Sequence, residues 1–103
     1  MRTRTILLAA LAAATLPTLA QTPEALYVRS LAATCANCHG PNGQTAPGSA
    51  VPGLAGMPRD YMLRQLAAFR DGSRPATVMH QIAKGYTQPQ LDQIAGWFAA
   101  QKK

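Results

Sequence analysis

Residues 40–58 read GPNGQTAPGSAVPGLAGMP, and nine of these nineteen positions are Gly or Pro. Proline fixes φ and lacks a backbone N–H, and glycine makes any regular element entropically costly. Neither a long helix nor a central strand can run through such a segment, so it must be an irregular loop. A loop of that length is uncommon in a small domain unless it serves a site. The segments around it carry helical spacing. In 24–36, Tyr27, Leu31 and Thr34 recur at i, i+4, i+7, with Val28 and Ala32 beside them. In 59–71, between Pro58 and Gly72, Met62, Leu66 and Phe69 repeat the pattern. Residues 75–84 read as a shorter helix with Pro75 at its start and Gly85 behind it. Thr87-Gln-Pro-Gln90 has the form of a capping box, followed by a stripe of Leu91, Ile94, Ala95 and Phe98. No segment alternates with strand period. The expectation is an all-α fold, three to five helices wrapped around a long loop.

The start of the chain reads as an export leader. A basic opening, Met1–Thr5, precedes an apolar run from Ile6 to Leu16; Pro17 breaks the run, and small residues lead to Ala20. A run of that length is shorter than the roughly 20 residues needed to span a bilayer. Cleavage after Ala20 would leave residues 21–103 as one periplasmic domain of 83 residues, with no membrane span. A core that small is marginal and usually needs a staple such as a metal, a disulfide or a cofactor. Ten Lys/Arg stand against four Asp/Glu; losing Arg2 and Arg4 would leave eight against four, a net charge of +4. That charge is modest and scattered, and no basic stripe or aromatic platform marks a nucleic-acid surface. It could steer encounters with an acidic partner, and Arg59, Arg64, Arg70 and Arg74 form a candidate basic face.

The staple is legible in Thr34-Cys-Ala-Asn-Cys-His-Gly40. A redox dithiol is read from Cys-x-x-Cys near a βαβ pattern, which this chain lacks. A structural zinc site needs four ligands, and only His39 and His80 could join Cys35 and Cys38, at a spacing that fits no finger. A plain Cys35–Cys38 disulfide would leave unexplained the adjacent histidine, the Gly/Pro-rich loop and the undersized core. Cys-x-x-Cys-His is the signature of c-type haem attachment. Two thiols at i and i+3 lie on one side of a helical turn and can each bond one vinyl group of a porphyrin. His39, the next residue, can then turn its imidazole to the iron.

With that motif, the chain resembles the class I c-type cytochromes over the whole of 21–103. Within that class the combination LAATCANCHGPNG, GLAG, YMLRQLAAFRDGSRPATVMHQIAKGYT and LDQIAGWFA is most similar to the haem subunits of flavocytochrome c sulfide dehydrogenases, and also to the halves of periplasmic dihaem cytochromes. The resemblance implies one covalent haem c, tethered by Cys35 and Cys38, with His39 as proximal ligand and a distal methionine well downstream. Three methionines follow the motif: Met57, Met62 and Met79. Met62 shares the stripe of Leu66 and Phe69, which assigns it to packing, and Met57 ends the loop. Met79 falls where the family's distal ligand falls, ahead of Met57 and of a bis-histidine site through His80, which reads as a surface residue. The resemblance also gives Pro52 a role, its carbonyl accepting from the proximal histidine, and sets Leu54 against the haem. An aromatic on the last helix, Trp97 or Phe98, would pack on the first helix. The family's small partner there is Gly, and residues 24–34 contain none; Ala32 or Ala33 would have to serve, Gly96 lying on the last helix instead.

The implied function is electron transfer rather than catalysis, because an iron closed on both faces has no open position for substrate. As a subunit, the chain would accept electrons singly from an FAD-containing sulfide dehydrogenase flavoprotein and pass them to another soluble redox protein or a terminal oxidase. The alternatives are a stand-alone carrier and, in a different class, a haem enzyme or gas sensor with an open sixth position that binds carbon monoxide readily.

Overall fold

The computed structural model describes residues 19–103. The expected leader lies outside the described residues except for Leu19 and Ala20, which are exposed and without regular structure. Four α-helices follow in order: α1 Pro23–His39, α2 Arg59–Asp71, α3 Met79–Lys84 and α4 Gln88–Ala99, with a single 3-10 turn at Pro41–Gly43. Among the described residues there is no strand, and no helix is long and apolar enough to cross a membrane.

Local chemistry explains the ends of the helices. Thr22 caps α1, its hydroxyl accepting from the Ala25 amide at 3.1 Å, with Pro23 in the first turn. The α2 helix stops at Gly72 in the left-handed conformation, and the Asp71 carboxylate accepts from the Ser73 amide at 2.8 Å. The Ser73 side chain, and after it this amide hydrogen bond, hold the Asp71 carboxyl below its usual range. The capping box on α4 is complete: the Gln90 amide donates to the Thr87 hydroxyl at 3.3 Å, and the Thr87 amide to the Gln90 side chain at 2.9 Å. The third helix is shorter than its sequence suggested. It begins at Met79 rather than Pro75, with no side-chain cap at Val78. Proline is tolerated in a first turn but does not impose one, and residues 75–78 run as irregular chain into α3.

The core is small and lies where α1, α2 and α4 meet: Ala32, Met62, Ile94, Ala95 and Phe98 are buried in one cluster, with Leu31, Leu54, Met57, Leu66, Tyr86 and Trp97 packed against it. Phe98 is its largest fully buried side chain. Met62 does pack, as its place on the stripe required. The small residue at the crossing is Ala32, which is fully buried, while Ala33 is exposed. On α4 its counterpart in the cluster is the equally buried Ala95. Gly96 points elsewhere: a Cβ added there would lie 3.9 Å from the Arg59 side chain. The stripe on α1 also divides in two. Leu31 and Ala32 pack, whereas Tyr27 and Thr34 use hydroxyls to reach Gln90 and Tyr86.

The arginines on and after α2 each take a partner from this chain. Arg59 lies 3.7 Å from Asp60 and 3.8 Å from Asp92. Arg70 donates to Gln88 at 3.1 Å, Arg64 lies over the Tyr61 ring and Arg74 over the Phe69 ring.

Candidate haem site

The α1 helix runs through the whole cysteine motif and ends at His39, so Cys35, Cys38 and His39 occupy its last turn and a half. Gly40 then turns the chain away with φ +87°. A Cβ at that position would lie 2.0 Å from the Gln44 carbonyl oxygen, so only glycine fits behind the histidine. Gly43, at φ +78°, has its Cβ position blocked by the Ala55 amide at 2.7 Å and the Phe98 ring at 2.8 Å. Its carbonyl accepts from both Leu54 and Ala55, at 2.8 and 3.1 Å. These bonds fold residues 40–57 back across the end of α1.

That return brings Pro52 to His39. The Nδ1 of His39 lies 2.7 Å from the Pro52 carbonyl oxygen, and the histidine is 91 % buried. A carbonyl oxygen can only accept, so the proton sits on Nδ1 and the lone pair on Nε2. The imidazole is therefore held in one tautomer and one orientation, with its other nitrogen available to a metal, as metal-ligating histidines are held. Both thiols are free, with Cys35 half-buried and Cys38 exposed. Burial pushes the Cys35 thiol above its ordinary value; the Thr34 hydroxyl oxygen lies 3.9 Å from its sulfur. Two free thiols one helical turn apart, followed by an oriented imidazole, fit the attachment chemistry of haem c and offer too few donors for structural zinc. Among the described residues no group of three or more His, Cys, Asp or Glu side chains is placed to hold a metal ion by itself.

The downstream candidates are separated by the fold. Met62 is buried in the core. Met57 packs against that core and lines an open cleft of about 680 Å³ with Tyr61 and Lys103, a cleft whose lining includes none of Cys35, Cys38, His39 or Met79. Met79 stands half-buried at the first position of α3. His80 beside it departs from the surface role its sequence context suggested: it is half-buried, and its Nδ1 is buried without a hydrogen-bond partner. Sequence spacing also missed Tyr86. Its hydroxyl lies 2.5 Å from that of Thr34, one residue before Cys35, and no periodicity could have signalled a contact between residues so far apart in the chain.

Comparison with known proteins agrees with this chemistry. Residues 28–97 match the family model for cytochrome c. The chain is 40% identical over 68 residues to the cytochrome subunit of sulfide dehydrogenase from Chlorobaculum tepidum, covering 66% of this chain and 60% of that protein. It is 38% identical over 71 residues to a thiosulfate dehydrogenase electron acceptor from Thiomonas intermedia, covering 69% of this chain and 33% of that protein. Cytochrome c-554(548) of Halomonas halodenitrificans is 34% identical over 73 residues, which span 67% of this chain and 86% of that protein. The chain thus spans less than two thirds of the first two relatives. Motif, helical fold and family match converge: the chain belongs to the cytochrome c family, as a class I c-type electron-transfer domain that carries covalently bound haem c.

Proposed function

We propose that this chain is the electron-accepting cytochrome subunit of a sulfide-oxidising flavoprotein complex in the periplasm. Residues 1–20 are its export leader and 21–103 its haem domain. Cys35 and Cys38 are the thioether tethers, His39 is the proximal iron ligand and Met79 the distal one. The observation that carries the reading is the 2.7 Å contact between His39 Nδ1 and the Pro52 carbonyl, which leaves Nε2 as the free donor. Bound haem c supplies a one-electron iron couple, and Met/His ligation raises its potential. The protein's part is to fix and shield. With haem bound, tethering through Cys35 and Cys38 would keep His39 at the iron, Pro52 would hold the imidazole plane, and Met79 would supply a thioether that neither donates nor accepts protons readily. The flavin partner is supported by the sulfide dehydrogenase name of the Chlorobaculum relative. The Thiomonas relative's name favours a second reading, a carrier that meets its donor only transiently.

Purification of the tagged chain from its native periplasm separates the two. The subunit reading expects a stable complex containing one flavoprotein, in which added sulfide reduces the haem, while the separated chain is not reduced at a comparable rate. A chain that elutes alone under gentle conditions and accepts electrons only by collision would assign it to the carrier reading. For the distal ligand, Met79→Ala should abolish the weak far-red absorbance band of the ferric protein. It should also lower the potential by on the order of 0.1 V, a fraction of the roughly 0.8 V over which axial ligands tune haem. Survival of the band would move the assignment to Met57.

A further inference from the structure

We infer that Tyr86 is a positioning residue for the distal ligand: its hydroxyl ties the exit of the Met79-bearing helix to Thr34, at the doorstep of the cysteine motif. The inference rests on the assignment of Met79. Thr34 donates its single hydroxyl proton to the Leu31 carbonyl at 2.7 Å. The 2.5 Å contact between the Thr34 and Tyr86 hydroxyls must then be a donation from Tyr86, whose O–H has no other described partner. The result is a directional chain, Tyr86 to Thr34 to the backbone of α1. The Tyr86 ring packs against the core cluster below it, so both ends of the side chain are fixed.

The α3 helix needs such a tie. It has only six residues and no side-chain cap at its start. A helix that short has no stability of its own and holds its place by tertiary contact. On its upstream side the chain is irregular from Gly72 to Val78, held at the Arg74 amide by the Ala68 carbonyl at 3.1 Å. On its downstream side Gly85 closes the last turn onto the Ile82 carbonyl at 3.0 Å, and Tyr86 follows directly. Loss of the Tyr86 hydroxyl would remove the tie at the exit of α3 and leave in place the packing of α3 on α2, where Ala83 is buried. A looser α3 spends more time with the Met79 sulfur away from the metal, and a competing ligand then binds more tightly in proportion to that population.

Imidazole titration of the ferric holoprotein measures this, followed by loss of the far-red band. An imidazole nitrogen donates its lone pair to the iron as the Met79 sulfur departs, and no electron changes hands. Tyr86→Phe should raise the apparent affinity for imidazole about fivefold, the worth of one net hydrogen bond. Thr34→Val should match it, and Thr34→Ser should remain at the wild-type value. The double variant Tyr86→Phe/Thr34→Val should show no more than either single change. Tyr27→Phe is the control, because it removes another hydroxyl bond between α1 and α4, the 2.9 Å contact to Gln90, without touching α3; its affinity should equal wild type. The inference is overturned if Tyr86→Phe leaves the affinity unchanged while only lowering the denaturation midpoint, or if Tyr27→Phe raises it equally. A wild-type protein with no far-red band would remove the Met79 assignment and this inference together; a normal band with an insensitive Tyr86→Phe removes this inference alone.

Discussion

The meeting of α1, α2 and α4 and the loop at 40–57 solve the same problem in opposite ways. The helices are joined by apolar surface: Ala32, Met62, Ile94, Ala95 and Phe98 are buried with no polar side chain among them. The loop sets Leu54 and Met57 against that core, but its path is fixed by backbone groups. The Gly43 carbonyl serves two amides, the Gly56 amide donates to the Phe98 carbonyl at 2.9 Å, and the Pro52 carbonyl accepts from His39. Burial is nondirectional and tolerates repacking, whereas a carbonyl aimed at one imidazole nitrogen tolerates little. The chain thus uses forgiving forces to fold and directional ones to fix the histidine. Substitutions in the first region should act on stability, and those in the second on the metal's surroundings.

The sharpest separation should come from Phe98→Ala. Removal of the largest fully buried side chain should cost about 3–5 kcal/mol by chemical denaturation. A correctly folded fraction should keep the wild-type haem spectrum; a spectrum altered in proportion to the lost stability would erase the distinction between the regions. Next is Gly40→Ala, which meets the cost of about 1–3 kcal/mol for a side chain in the extended positive-φ region that only glycine favours, as well as the 2.0 Å approach of its Cβ to the Gln44 carbonyl. It should lose about 2–3 kcal/mol by the same assay and, unlike Phe98→Ala, perturb the ferric spectrum, because the residue next to His39 has to move. Thr87→Ala, in neither region, should cost about 1 kcal/mol through the α4 capping box and leave the spectrum untouched. Asp71→Asn should be smallest and pH-dependent. The folded carboxyl sits below its unfolded value, so its contribution is present above the unfolded pKa of about 4 and disappears as pH falls through the folded value. Thermal midpoints of wild type and variant should differ slightly at neutral pH and converge in acid.

These two regions were also unequally legible in the sequence. Period and caps placed α2 at the limits it has, put Thr87 and Gln90 in their box, and assigned Met62 to the core, because burial and capping are local signals. The same reading overextended α3 back to Pro75: a proline can open a helix, and whether it does depends on what the following turn packs against. Composition announced that 40–58 is a loop but not its path. Which carbonyl meets His39 is set by the double turn at Gly40 and Gly43, and Pro52 was named through resemblance, not through spacing. The Thr34–Tyr86 bond and the buried nitrogen of His80 left no mark in the sequence, since both depend on how α3 is laid down.

The central claim is that the last turn of α1 carries covalent haem. Its most direct test is mass spectrometry of the tryptic peptide spanning Ser30–Arg59 from the exported protein, the fragment that holds both cysteines. That peptide should appear at its own mass plus one haem, with neither thiol open to alkylation. The bare peptide, with both thiols alkylated or joined as a disulfide, would contradict it.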